Sequence, residues 1–114
     1  MSPIEKLAAR QLAAYNASDL ASFVACYHPE VQVFDKGEPV AKGRAAFRSR
    51  YEALFANCDF GASVPQRLAN DGDCVDLEHW WRVAPDTQTR LEGTVIVHYR
   101  IRDGLIGEVH FLRE

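Results

Sequence analysis

Several things are scarce in this chain, and each scarcity removes a class of function. Cysteine occurs three times, at Cys26, Cys58 and Cys74, an odd number without a C-x-x-C pair. That spacing supports neither a disulfide framework nor a zinc site, and the three read as small buried hydrophobes. Histidine also lacks metal-site spacing: no H-x-x-x-H occurs, and His79, His98 and His110 do not share a strand face, so no metal is expected. No apolar run approaches the roughly eighteen residues of a membrane span. The opening Met-Ser-Pro-Ile-Glu has neither the basic nor the apolar region of a secretory signal, so a cytoplasmic location without a membrane partner is expected. Positive charge is in deficit, with 13 Lys and Arg scattered against 16 Asp and Glu, which leaves no electrostatic footprint for nucleic acid. A glycine-rich phosphate loop beside a helix start is missing too, so no cofactor is expected.

What remains is enough for one hydrophobic core: 114 residues, 47% of them apolar, read as one domain over residues 1–114. Helical signatures fill the first half. Ser2 and Glu5 form a capping box around Pro3, and Ile4, Leu7, Ala8, Leu12 and Tyr15 make an apolar stripe that also carries Gln11. A second start at Ser18 or Asp19 leads into Leu20, Phe23, Val24 and Tyr27, with Pro29 as its stop. Val31, Val33 and Phe34 read as a short strand, Asp35 to Gly43 as a turn-rich stretch, and Phe47, Tyr51, Leu54 and Phe55 as one face of a third helix.

The second half is a meander with turns at Asn70-Asp71-Gly72-Asp73, Pro85-Asp86 and Asp103-Gly104. This order of pieces predicts an α+β fold, three helices on one face of a curved antiparallel sheet, a cone that encloses an apolar pocket. Between Cys74 and Val83 the more apolar set, Val75, Leu77, His79, Trp81 and Val83, is assigned to the inner face. The same test turns Leu91, Gly93, Val95, Val97, Tyr99 and Ile101 inward and His98 outward, and on the last strand Val109 and Phe111 inward. Trp80, Ile96 and Leu112 then fall on the outer face, where a second copy of the chain is the expected cover.

The segments Leu12-Ala-Ala-Tyr-Asn-Ala-Ser-Asp-Leu20, Val31-Gln-Val-Phe-Asp35 and Val40-Ala-Lys-Gly-Arg44 resemble the NTF2-like superfamily, in particular its SnoaL-like and ketosteroid-isomerase-like branch. The likeness spans nearly the whole chain. It implies a cone-shaped α+β fold, often dimeric, whose pocket serves isomerases, cyclases, dehydratases, epoxide hydrolases and non-catalytic binding domains. It also implies that Asp35 stands where the isomerase keeps its proton-shuttling carboxylate, that Tyr51 matches a supporting tyrosine, and that Tyr27 occupies an aromatic position. The two oxyanion donors are replaced, by Gln11 and Val97. Loss of one such donor costs about 2.7 to 4 kcal/mol of transition-state stabilisation, so steroid isomerisation is not expected.

From the residues themselves, Asp35 and His79 are the candidate acid–base pair. Gln11, Tyr15, Phe23, Tyr27, Phe47, Tyr51, Trp81, Val97, Tyr99 and Phe111 are the candidate walls for a small apolar ligand. Each has a structural alternative: Asp35 as a turn cap before Lys36-Gly37, His79 as a core histidine, Gln11 as a bridge between backbone groups, and the aromatics as core. Two functions stay open: proton-transfer catalysis of isomerase, cyclase or dehydratase type with Asp35 as base, and non-catalytic binding of a small molecule.

Overall fold

The computed structural model describes residues 1–113. Helix α1 (Pro3–Asn16) starts on the reciprocal cap expected of it: the Glu5 amide donates to Ser2 Oγ at 3.3 Å and the Ser2 amide to Glu5 Oε1 at 3.2 Å. Its buried face holds Ile4, Leu7, Ala8, Gln11 and Ala14. Helix α2 (Leu20–Ala25) is capped by Asp19, whose carboxylate accepts from the Ser22 amide. It is shorter than the sequence suggests, because Tyr27 opens a strand instead of closing the helix.

That strand, β1 (Tyr27–Asp35), begins with Tyr27 opposite Ile106, and the Ile106 amide donates to Cys26 O at 3.0 Å. Pro29 lies within the register shift between Tyr27 and Gln32, where a missing ladder donor is tolerated. The stretch after Asp35, read as turns, is a hairpin. Lys36 and Gly37 take φ of 54° and 81°, the pattern of a two-residue primed turn, and β2 (Glu38–Lys42) returns along β1 as an edge strand that accommodates Pro39. Helix α3 (Arg44–Asn57) follows, with Phe47 buried. Arg44 anchors its start by donating from the guanidinium to Tyr27 O.

Strands β3 (Asp59–Ala69), β4 (Asp73–Val83), β5 (Arg90–Arg102) and β6 (Leu105–Leu112) form the meander. The six-stranded sheet runs in the order β2-β1-β6-β5-β4-β3, antiparallel throughout except for the parallel pair β1–β6. It is curved and unclosed, and the helices cover its concave face, where one core cluster joins Ile4, Phe23, Tyr27, Phe47, Val97, Ile106 and Val109. On β5 and β6, Val95, Val97, Tyr99, Val109 and Phe111 are buried as expected, whereas Leu91, expected inward, is exposed near the start of β5.

Strand β4 runs in the opposite phase. Cys74 and Asp76 are buried while His79 is exposed, so the inward set is Cys74, Asp76, Glu78, Trp80 and Arg82. The apolar set Val75, Leu77 and Val83 lies on the outer side. The hydrophobicity test failed because the inner face carries a polar pair that satisfies itself: Arg67 Nε and Nη2 donate to Asp76 Oδ1 and Oδ2 at 2.7 and 2.9 Å from the opposite register position on β3. Trp80 therefore belongs to the concave side, not to the outer patch.

Candidate active-site cavity

Two adjoining chambers lie between α1, α3 and the concave face of the sheet. The inner one, about 50 Å³, is walled by Gln11 and Tyr15 from α1, Phe23 from α2, Tyr27 from β1, Tyr51 from α3, and Glu78, Tyr99, Val109 and Phe111 from the sheet. The outer one, about 190 Å³, opens to solvent and shares Tyr15, Tyr51, Glu78 and Phe111 with the inner. Trp80, Trp81, Leu54 and Val95 complete its walls, and Arg50, Arg82 and Arg113 stand around its mouth.

Glycine positions both tryptophans. Trp80 lies opposite Gly93, where a Cβ would come within 2.5 Å of the indole, and Trp81 lies opposite Gly61, where a Cβ would come within 2.8 Å. Only glycine allows those rings to lie flat against the neighbouring strand.

The floor of the inner chamber is a hydrogen-bonded relay. Tyr27 Oη donates to Gln11 Oε1 at 3.1 Å, and Gln11 Nε2 donates to Tyr99 Oη at 3.2 Å and to Ala8 O at 3.2 Å. Gln11 is 4% exposed and fully engaged. The relay leaves Tyr99 with its own proton uncommitted to any acceptor among the described residues. Burial holds the Tyr27 and Tyr99 hydroxyls well above their ordinary pKa, so both keep their protons and stay hydrogen-bond donors.

Glu78 is the acid that faces both chambers. Desolvation in this aromatic surrounding, followed by the nearby Asp76 charge, raises its pKa from 4.5 to about 7, against a smaller opposing pull from Arg113. Asp76 lies deeper, 1% exposed, and is held by Arg67; it also accepts from Cys74 Sγ, whose thiol is pushed up to about 12 by burial. Tyr51 is pushed up to about 12 by burial as well.

The two residues singled out as an acid–base pair do not meet. His79 is exposed on the convex side, opposite Ser63 and Thr94, and faces away from the cavity because β4 has the reverse phase. Asp35 is on the concave side at the end of β1, opposite Phe111, but lines neither chamber; both its carboxylate oxygens accept from Arg113 Nε at 3.1 Å. Gln11, Tyr15, Phe23, Tyr27, Tyr51, Tyr99 and Phe111 line the inner chamber, and Trp81 the outer. Phe47 and Val97 are buried behind the walls: Phe47 packs on Phe23, Tyr27 and Tyr51.

Sequence reasoning passed over Glu78 and the three mouth arginines. Glu78 was accessible only through the phase of β4, and the signal for that phase is the pairing of Arg67 with Asp76. An acidic residue destined for the inner face needs a cationic partner on the neighbouring strand, and Arg67 is that partner.

An α+β cone whose concave face encloses a small aromatic chamber with one perturbed carboxylic acid defines the class of protein. The chain belongs to the SnoaL-like domain family, whose pattern residues 8–109 match. Among solved structures, an uncharacterised cystatin-fold protein of Novosphingobium aromaticivorans is 25% identical, with 99% of each chain covered and a TM-score of 0.85. A Δ5-3-ketosteroid isomerase from Mycobacterium sp. is 14% identical, covering 100% of this chain and 95% of its own, with a TM-score of 0.88. A Mycobacterium tuberculosis protein in complex with estradiol-17β-hemisuccinate gives the same identity, coverage and TM-score. These likenesses establish the NTF2-like cone fold. No curated protein matches the chain. No described helix is long and apolar enough to cross a membrane, and no cluster of His, Cys, Asp and Glu among the described residues could hold a metal ion.

Proposed function

We propose that this protein is a cofactor-independent catalyst of proton transfer on a small, largely apolar cyclic substrate, of isomerase, cyclase or dehydratase type. The observation that carries the reading is Glu78, a half-buried acid with a pKa raised to about 7 that faces the same inner chamber as the uncommitted Tyr99 hydroxyl. A base poised near neutral pH combines a useful ionised fraction with useful proton affinity. The Glu78 carboxylate takes a proton from the carbon next to a substrate carbonyl, and the Tyr99 hydroxyl donates to the oxygen on which negative charge collects. The Gln11 amide, donating to Tyr99 Oη, orients that hydroxyl and strengthens it as a donor. The role of base passes from Asp35 to Glu78, and Asp35 holds Arg113 at the mouth.

This reading differs from the steroid isomerase in its parts. Gln11 and Val97 stand where that enzyme has its oxyanion donors, and Tyr99 supplies a donor from the next inward position after Val97 on β5. The similarity to structures of an isomerase and of a steroid-derivative complex supports a small-molecule pocket; the size of the chambers favours one or two rings over four. An engineered apolar cavity of about 150 Å³ accommodates benzene, and the outer chamber here is about 190 Å³.

The test is α-hydrogen exchange of a small cyclic ketone such as 2-indanone in D2O, followed by NMR. Accelerated exchange that rises with pH through about 7 is expected, since Glu78 must be ionised to act. Glu78→Gln should abolish the acceleration, and Tyr99→Phe should reduce it about 100-fold or more. Ligand binding without accelerated exchange would favour the second reading, a non-catalytic binding domain.

The same proposal includes a homodimer, one domain over the whole chain, a cytoplasmic setting and no nucleic-acid partner. The outer sheet face supports the dimer. Leu68, Ile96 and Leu112 are 77%, 42% and 51% exposed there, and Val75, Leu77 and Ile96 line a shallow apolar groove with Leu68. The three unpaired cysteines suit a reducing compartment.

A further inference from the structure

The mouth of the outer chamber is strongly unbalanced in charge. Three guanidinium groups, Arg50, Arg82 and Arg113, line it against a single acid, Glu78, which is itself largely neutral below pH 7. In a chain of net charge −3, three cations at one rim are a local reversal of sign. Arginines elsewhere on the sheet are matched: Arg67 with Asp76, Arg90 with Glu92, Arg100 with Asp73 and Arg102 with Glu30. Arg113 is matched in part, through Nε on Asp35. Neither Arg50 nor Arg82 has a carboxylate within ion-pair distance among the described residues.

Their placement is also specific. Arg82 lies over the Trp80 ring at 4.9 Å and Arg113 over the Phe111 ring at 5.2 Å, so two of the three are stacked on aromatic walls of the chamber. Both rings belong to the cavity, and Trp80 is seated by Gly93. The charges reach the chemistry inside: Arg82 acts on Tyr15, Arg113 on Glu78, and both Arg50 and Arg113 on Tyr51. The arrangement is a ring of cations at the rim of an aromatic slot, with the proton-transfer group at the bottom.

We propose that the mouth is a carboxylate-binding collar, in which Arg50 and Arg82, with Arg113 held in place by Asp35, receive the anionic end of a ligand whose ring enters the chamber beneath them. The proposal rests on the small-molecule reading above and narrows the substrate class to ring compounds bearing a carboxylate on a short tail. A planar carboxylate suits guanidinium donors, which engage it through paired, charge-assisted hydrogen bonds. The apolar walls below accept the ring.

The experiment compares two probes of nearly equal shape, 3-phenylpropanoate and 3-phenylpropanamide, titrated into the whole protein at pH 7 with backbone NMR shifts as the readout. The carboxylate is expected to bind about tenfold or more tightly than the amide. In the Arg50→Gln, Arg82→Gln double variant, which leaves Arg113 alone in the collar, that preference should fall about threefold or more. Both arginines are exposed, so the variant's thermal midpoint checks that its fold is intact. Equal affinity for the two probes overturns the collar and leaves the small-molecule cavity standing. A carboxylate preference that stays undiminished in the double variant places the anion elsewhere and likewise overturns the collar. Binding of neither probe at millimolar concentration overturns both the collar and the cavity reading on which it rests.

Discussion

Glu78→Gln should make this protein more stable at alkaline pH and leave it nearly unchanged at acid pH. The folded protein holds the Glu78 proton up to about 7, against an ordinary value of 4.5, chiefly because the site desolvates the carboxylate. Between those two pH values the native state binds a proton that the unfolded chain releases, so stability falls as pH rises. Below about 4.5 both states are protonated and Glu78 costs nothing; above about 7 both are ionised and the full penalty is present. At 1.36 kcal/mol per decade the penalty is about 3 kcal/mol. Glutamine has nearly the same shape and no charge, and removes it. The assay is denaturant unfolding of both proteins at pH 4.5, 6, 7 and 8. The difference in unfolding free energy should grow from near zero at pH 4.5 to about 3 kcal/mol at pH 8 and level off there. A difference that stays flat across this range would refute the placement of Glu78 as a desolvated acid, and with it the basis for its proposed role as base. The gain in stability should coincide with loss of proton exchange, as expected where a functional group is kept at a cost to the fold.

Three other perturbations probe the surroundings of the site. Asp76→Asn leaves the Arg67 guanidinium without its bidentate partner and should destabilise the fold by about 3 kcal/mol, the lower part of the range for a broken buried pair, since Arg67 retains some access to solvent; the same change should lower the Glu78 pKa, measurable by carboxyl carbon NMR. Gly93→Ala places a methyl group where the Trp80 ring lies and should cost about 1 to 3 kcal/mol in unfolding free energy, with a shift in tryptophan fluorescence as the ring is displaced from the cavity wall. Ile96→Glu on the convex face should abolish the proposed self-association in sedimentation equilibrium while leaving probe binding in the cavity unaltered.

Much of the architecture was legible residue by residue. The reciprocal Ser2–Glu5 cap, the Asp19 cap and the Asp103-Gly104 turn are local features whose hydrogen bonds and dihedral preferences act within a few residues, and each appears where the chain predicts it. The phase of β5 was legible because Val95, Val97 and Tyr99 contrast with Thr94, His98 and Arg100 on the other face, Ile96 being the one apolar residue among them. The hairpin through Lys36 and Gly37 was hidden by Pro39, a residue that reads against a strand and is tolerated only because β2 is an edge.

The candidate site divides along the same line. The aromatic chamber, with Tyr15, Tyr27, Tyr51, Tyr99 and Phe111, was within reach of the sequence, since helical spacing and strand alternation independently direct these residues to the core. The groups proposed to react were not. On β4 both faces carry apolar side chains, and hydrophobicity alone chose His79 over Glu78. Only the pairing of β4 with β3, which sets Arg67 opposite Asp76, makes an acidic inner face energetically tenable. Likewise, nothing local relates Arg50 on α3, Arg82 on β4 and Arg113 beyond β6; they meet because the sheet curves under the third helix and brings three distant segments to one rim. Alternation and capping are short-range and are written in the chain, whereas the balance between a buried charge and its partner depends on which strands become neighbours, and that is settled only when the sheet forms.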